Sequence, residues 1–133
     1  MKIALLVVAA FLMVPQSKAQ AQQAKGAVIA WEKNAHDFGD ITEGEKVEYV
    51  YKFTNTGTEP LIITNVQVTC GCTTPKGWPR DPIEPDKKGE IVIQFNSAHK
   101  VGRNNKVITI VSNAAAGNSQ ITFSANVIKK GTN

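Results

Sequence analysis

Across residues 46–54 the side chains alternate: Val47, Tyr49, Tyr51 and Phe53 share one parity, while Glu48, Val50, Lys52 and Thr54 share the other. In an extended strand successive side chains point to opposite faces, so this spacing places an almost wholly apolar set on one side of a sheet. A helix would scatter the same four residues around its circumference. The same period returns at residues 90–96, with Ile91, Ile93 and Phe95, and at residues 120–128, with Ile121, Phe123, Ala125 and Val127. Strands of this kind must bury their apolar face against a second layer, which restricts the chain to packed-sheet architectures.

The remaining segments fit that restriction. Residues 28–32 and 36–41 read as a first, interrupted strand with Gly39 permitting a bend or bulge, and residues 61–69 are rich in β-branched residues. Residues 106–112 and 120–128 flank Asn113-Ala114-Ala115-Ala116-Gly117-Asn118 and read as a closing hairpin, while residues 55–60 supply a turn. Helical periodicity is absent over any three turns. The sequence therefore predicts an all-β fold, an immunoglobulin-like antiparallel β-sandwich of about seven strands, with a small barrel as the alternative. An antibody-type domain does not fit, because its two half-cystines lie far apart in sequence, whereas Cys70 and Cys72 are separated by one residue.

The N-terminus reads as a removable address. Lys2 precedes an apolar run from Ile3 to Val14, then Pro15 and small residues at Ala19 and Ala21, the layout of a secretory signal. Twelve apolar residues extend about 18 Å as a helix, short of a hydrocarbon core of about 30 Å. We therefore divide the chain into a signal peptide at 1–21, a flexible leader at 22–27 and one sandwich domain at 28–130. The expected location is periplasmic or extracellular, with a soluble mature protein and no membrane span after cleavage. Losing Lys2 and Lys18 from fifteen basic residues leaves thirteen against eleven acids, a balance of +2. Those charges are scattered, so nucleic acid is not an expected partner.

Several short motifs follow one another along the chain: Asp37-Phe38-Gly39 with Ile41 and Gly44; Phe53-Thr54-Asn55-Thr56-Gly57 with Pro60-Leu61; Cys70-Gly71-Cys72-Thr73; Pro82-Ile83-Glu84-Pro85 with Gly89-Glu90-Ile91; and Ser112-Asn113. In kind and order they resemble domain of unknown function family 1573, from about Asp37 to Val127. The resemblance implies an exported bacterial domain with an immunoglobulin-like sandwich, similar to sperm-protein and cilia-associated modules, and no established activity. Where that family often has glycine after Ile-x-Pro, this chain has Asp86, which tolerates similar turn geometry.

The chemistry-bearing residues gather in one connection. Cys70, Gly71, Cys72 and Thr73 open a stretch to Lys88 that carries Pro75, Pro79, Pro82 and Pro85 together with Trp78. That proline density predicts a stiff irregular loop rather than another central strand. Cys70 and Cys72 can be joined in a disulfide if the backbone bends at Gly71, since residues two apart on a straight strand sit at or beyond bonding range. Packed thiols, thiol redox and metal binding of copper or zinc are the competing readings. A zinc site would need His36 and His99, the only histidines, and a direct run from the third strand to residue 90 puts His99 at the opposite end from the cysteines. The acidic stretch Asp37, Asp40, Glu43, Glu45 and Glu48 lacks the spacing of a calcium loop and reads as a solvated edge. Trp78 reads as a cap on the core, against the alternative of an exposed partner contact. Catalytic residues, a resident cofactor and a resident metal are not predicted. The expectation is a non-enzymatic interaction or structural module whose partner is another exported or envelope protein.

Overall fold

The computed structural model describes residues 25–131. The proposed signal peptide, and all of the leader before Lys25, lie outside the described residues. Among the described residues eight strands form: β1 (Ile29–Trp31), β2 (Ala35–Thr42), β3 (Lys46–Asn55), β4 (Ile63–Val68), β5 (Thr73–Gly77), β6 (Lys88–Asn96), β7 (Gly102–Ser112) and β8 (Ser119–Ile128). They make two four-stranded sheets, ordered β1-β3-β6-β5 and β2-β8-β7-β4.

The alternating runs point where their spacing requires. Tyr51, Phe53, Ile91, Ile93, Phe95, Ile121, Phe123, Ala125 and Val127 are all at most 2% exposed, while Val47 and Tyr49 pack half-buried at the margin. Removing each large side chain from water contributes roughly 1.5–3 kcal/mol, which makes this interlayer the main source of stability. The two layers are also tied by polar bonds. Trp31 Nε1 donates to Ser119 Oγ at 2.7 Å, and the Tyr51 hydroxyl donates to the Thr122 carbonyl at 2.7 Å. Burial raises the Tyr51 phenol far above its ordinary pKa, with the neighbouring Tyr49 adding to the shift, so it is a permanent donor.

Asn55 holds one end together. Its side chain donates to the carbonyls of Glu59 and Ile83 and accepts from the amides of Val28 and Gly57, and it is wholly buried. Close approach explains Gly57: a Cβ there would collide with the Gly26 carbonyl and the Val28 nitrogen. Asp86 has φ 66° and donates its amide to the Asn55 carbonyl at 2.7 Å, so it adopts the left-handed turn that glycine would favour.

Four expectations require correction. The proline-rich connection is not an irregular loop throughout: β5 forms at its start and pairs antiparallel with β6. Pro75 is tolerated there because β5 is an edge strand: the Cys72 carbonyl accepts from Asn96, so alternation turns the Pro75 nitrogen to the free side. The sandwich is not purely antiparallel, since β2 runs parallel to β8. Residues 28–41 are not one interrupted strand but two strands in different sheets, divided at 32–34; Gly39, at φ 70°, marks a separate bulge within β2. Finally, packed structure starts before Val28, for Ala27 is 1% exposed and bridges to Ala114.

Candidate functional site

Each sheet has two edges, and they stack into two flanks, β4 with β5 and β1 with β2. On both flanks the chain crosses from one sheet to the other, and both crossings hold residues of functional interest.

The β4/β5 crossing is the Cys70–Thr73 turn. Here Cys70 and Cys72 form a disulfide with their Cα atoms 5.1 Å apart, closer than a straight strand would allow. The backbone independently closes the same turn, since the Thr73 amide donates to the Cys70 carbonyl at 3.1 Å. Asn96 then anchors it to β6 by donating to the Cys72 carbonyl at 2.8 Å. A bond spanning so few residues contributes only about 1.6 kcal/mol in the chain-entropy model, less than a long-range staple. The two sulfurs differ in their surroundings. Cys72 packs against the core beside Thr73, whose hydroxyl lies 3.8 Å from Cys72 Sγ, whereas Cys70 Sγ accepts the Cys72 amide at 3.1 Å. Trp78 is half-buried against the core, and the Arg80 guanidinium carbon sits 3.6 Å from its ring centre.

The histidines correct one expectation. Because β5 intervenes between β4 and β6, His99 falls just beyond β6 at the cysteine end of the sandwich rather than at the opposite end. His36 does not join it. Its ring stacks on Tyr49 with centroids 3.7 Å apart, on the other flank, and burial lowers its pKa below the ordinary histidine value, with Asp37 raising it and Lys33 lowering it. No group of three or more His, Cys, Asp or Glu suited to a metal forms among the described residues. The acidic stretch is likewise dispersed: Asp37 pairs with Arg103 at 3.7 Å, Asp40 accepts from Asn126, and Glu48 accepts from Gln94.

The β1/β2 crossing leaves part of β3 uncovered, which the sequence analysis did not predict. Strand β1 pairs with β3 only from Phe53 to Asn55, and its line ends where the Glu32 amide donates to the Lys52 carbonyl. In an antiparallel ladder alternate residues point their N–H and C=O groups to the same side, and Asn55 already bonds towards β6. The amides and carbonyls of Glu48 and Val50 therefore face away from β6, and no described residue bonds them. A cleft of about 650 Å³ lies beside this half-edge, lined by Glu32, Lys33, Glu48, Tyr49, Val50 and Lys52 among others. The seam beneath is filled by rings, with His36 edge-on to Phe38 and Phe38 edge-on to Phe123. A legible signal existed: the 28–32 run is much too short to cover the 46–54 run.

This two-layer arrangement defines an immunoglobulin-like β-sandwich module. Its backbone is similar to the ASH/PapD-like domain 7 of human CEP192, with TM-score 0.59 and 14% identity over 98% of this chain and 99% of that one. The chain belongs to the DUF1573 family, described as a protein of unknown function, whose model matches residues 29–127. It is also similar to a protein of unknown function from Porphyromonas gingivalis W83, with TM-score 0.67 and 21% identity over 79% of this chain and 49% of that one. A further likeness, to the Vibrio cholerae VesB protease, has TM-score 0.59 and 12% identity over 74% of this chain and 31% of that one. The chain thus spans about half of the Porphyromonas chain and a third of the protease, and at these identities the likeness is one of fold. Among curated proteins none matches in sequence. No helix among the described residues is long and apolar enough to cross a membrane.

Proposed function

We propose that the domain is a non-enzymatic interaction module of the cell envelope or exterior, and that it receives an extended segment of another exported protein along the open half of β3. The observation that carries this reading is that no described residue bonds the outward backbone of Glu48 and Val50 at the end of β1's line. An added strand would find its main-chain partners there, set one parity of side chains on the His36–Tyr49 seam and turn the other towards Glu48 and Lys52. Self-pairing of two such half-edges centred on Tyr49 is disfavoured, since it sets Lys46 against Lys52 of the second copy, and like charges directly opposite destabilise a sheet. The connection from Cys70 to Lys88 is the second surface available to a partner.

The test uses two positions on one strand. A photo-crosslinking residue replacing Glu48, expressed in the native cell, is expected to give a discrete adduct, and Val50→Pro in the same chain is expected to abolish it. Proline there blocks an incoming strand yet removes an amide that bonds nothing else in the described fold. An adduct that persists in Val50→Pro, or one formed from position 76 but not from 48, overturns strand addition and moves the contact to the connection.

A further inference from the structure

We propose that the Cys70–Cys72 bond is a reversible exchange site for a partner dithiol, with Cys70 carrying the mixed disulfide and Cys72 resolving it. The site lies on the opposite flank from the open half of β3 and does not depend on strand addition.

Three features of the turn support exchange. The turn lies open at the surface: both cysteines are only half-buried, Gly71 between them is exposed, and a Cβ built on Gly71 would meet nothing within 4 Å. The fold does not rely on the bond, because the Thr73–Cys70 and Asn96–Cys72 backbone bonds hold the same turn, and Thr73 at 4% exposure anchors it in the core. The two sulfurs are also chemically unequal. Cys70 Sγ lies outside the core cluster and accepts the Cys72 amide, a bond that favours the charged thiolate. Cys72 packs against the core, within reach of the Thr73 hydroxyl.

A thiolate of the partner dithiol attacks Cys70 Sγ, a bond forms between those sulfurs, and the Cys70–Cys72 bond breaks. The electron pair leaves on Cys72, which takes a proton from solvent. The partner's second thiol, deprotonated, attacks its own first sulfur, and Cys70 departs as a thiolate held by the Cys72 amide. Two electrons have passed from the partner, now a disulfide, to the domain, now a dithiol. The reverse sequence begins with Cys70 as attacking thiolate and ends with Cys72 as resolving thiol.

The mature protein would be equilibrated with dithiothreitol without denaturant, then alkylated and weighed, while its near-ultraviolet circular dichroism is followed. Complete reduction with the spectrum retained is expected. In Cys72→Ser the remaining Cys70 is expected to react with glutathione disulfide at least tenfold faster than the remaining Cys72 does in Cys70→Ser. Should either variant fail to fold, the reduced native protein is treated with less than one equivalent of iodoacetamide and mapped, and Cys70 should carry most of the label. Reduction that requires denaturant, equal reactivity of the two thiols, or preferential reaction at Cys72 each overturns the proposal.

Discussion

The two flanks of the sandwich solve one problem in opposite ways. Both must carry the chain from one sheet to the other, and both leave edge strands behind. On the β4/β5 flank the crossing is covalently closed, and Pro75 sets its ring where an incoming strand would need an amide. That edge is protected against pairing. On the β1/β2 flank the chain departs after Trp31, so the longer β3 is left with donors and acceptors facing a cleft. One flank has the features of an edge that must not be extended, and the other has the features of one that can be.

The largest test of this contrast falls on the residue both flanks share. Asn55 reaches Val28 on one side and Ile83 on the other, and its removal strands several buried groups at about 1–3 kcal/mol each. Asn55→Ala is expected to lose at least about 3 kcal/mol, read as a lower urea midpoint. Next comes a pair of prolines. Tyr49→Pro deletes an amide that faces β6 and should unfold the protein at 37 °C, whereas Val50→Pro should shift the melting temperature by only a few degrees. Similar losses from both would remove the distinction between closed and open sides of β3. Replacing Cys70 and Cys72 together with serine should cost about 1–2 kcal/mol in the same denaturation assay. A loss of twice that would make the bond a structural staple.

The smallest effect concerns pH. Burial depresses the His36 pKa in the folded state, so the unfolded chain takes up the proton more readily. Stability is therefore fully present above the ordinary value of 6.5 and declines as pH falls below it. Replacing His36 with glutamine should flatten that decline in melting temperatures measured between pH 7 and 5. Asp37, whose pKa is lowered chiefly by the Gly39 amide, acts in the same direction but at lower pH.

Much of the sandwich was written in local pattern. The inward residues of β3, β6 and β8 follow from parity alone, because burial on one face forces the alternation. The turn at Asp86 came instead from the family resemblance, in which glycine often holds that place, and its φ of 66° fits that expectation. What escaped the pattern depended on neighbours. Proline density argued against β5, and edge position overrode it; the resulting extra reversal carried His99 to the cysteine end. The open half of β3 was only half legible: the two run lengths differ visibly, but which strand covers which belongs to the sheet.

The parallel pairing of β2 with β8 has a consequence for how the molecule comes into being. Residue Ala35 sits opposite Thr122, and β8 is also the partner of β7. A chain emerging N-terminus first makes β2 early but has nowhere to seat it until the last strand arrives. Contacts spanning so much sequence make folding slow, and the aromatic face of β2 must wait in solvent meanwhile. Loss of the final ten-residue strand would therefore not trim one margin of the sheet; it would orphan β2 outright and leave β7 paired with β4 alone.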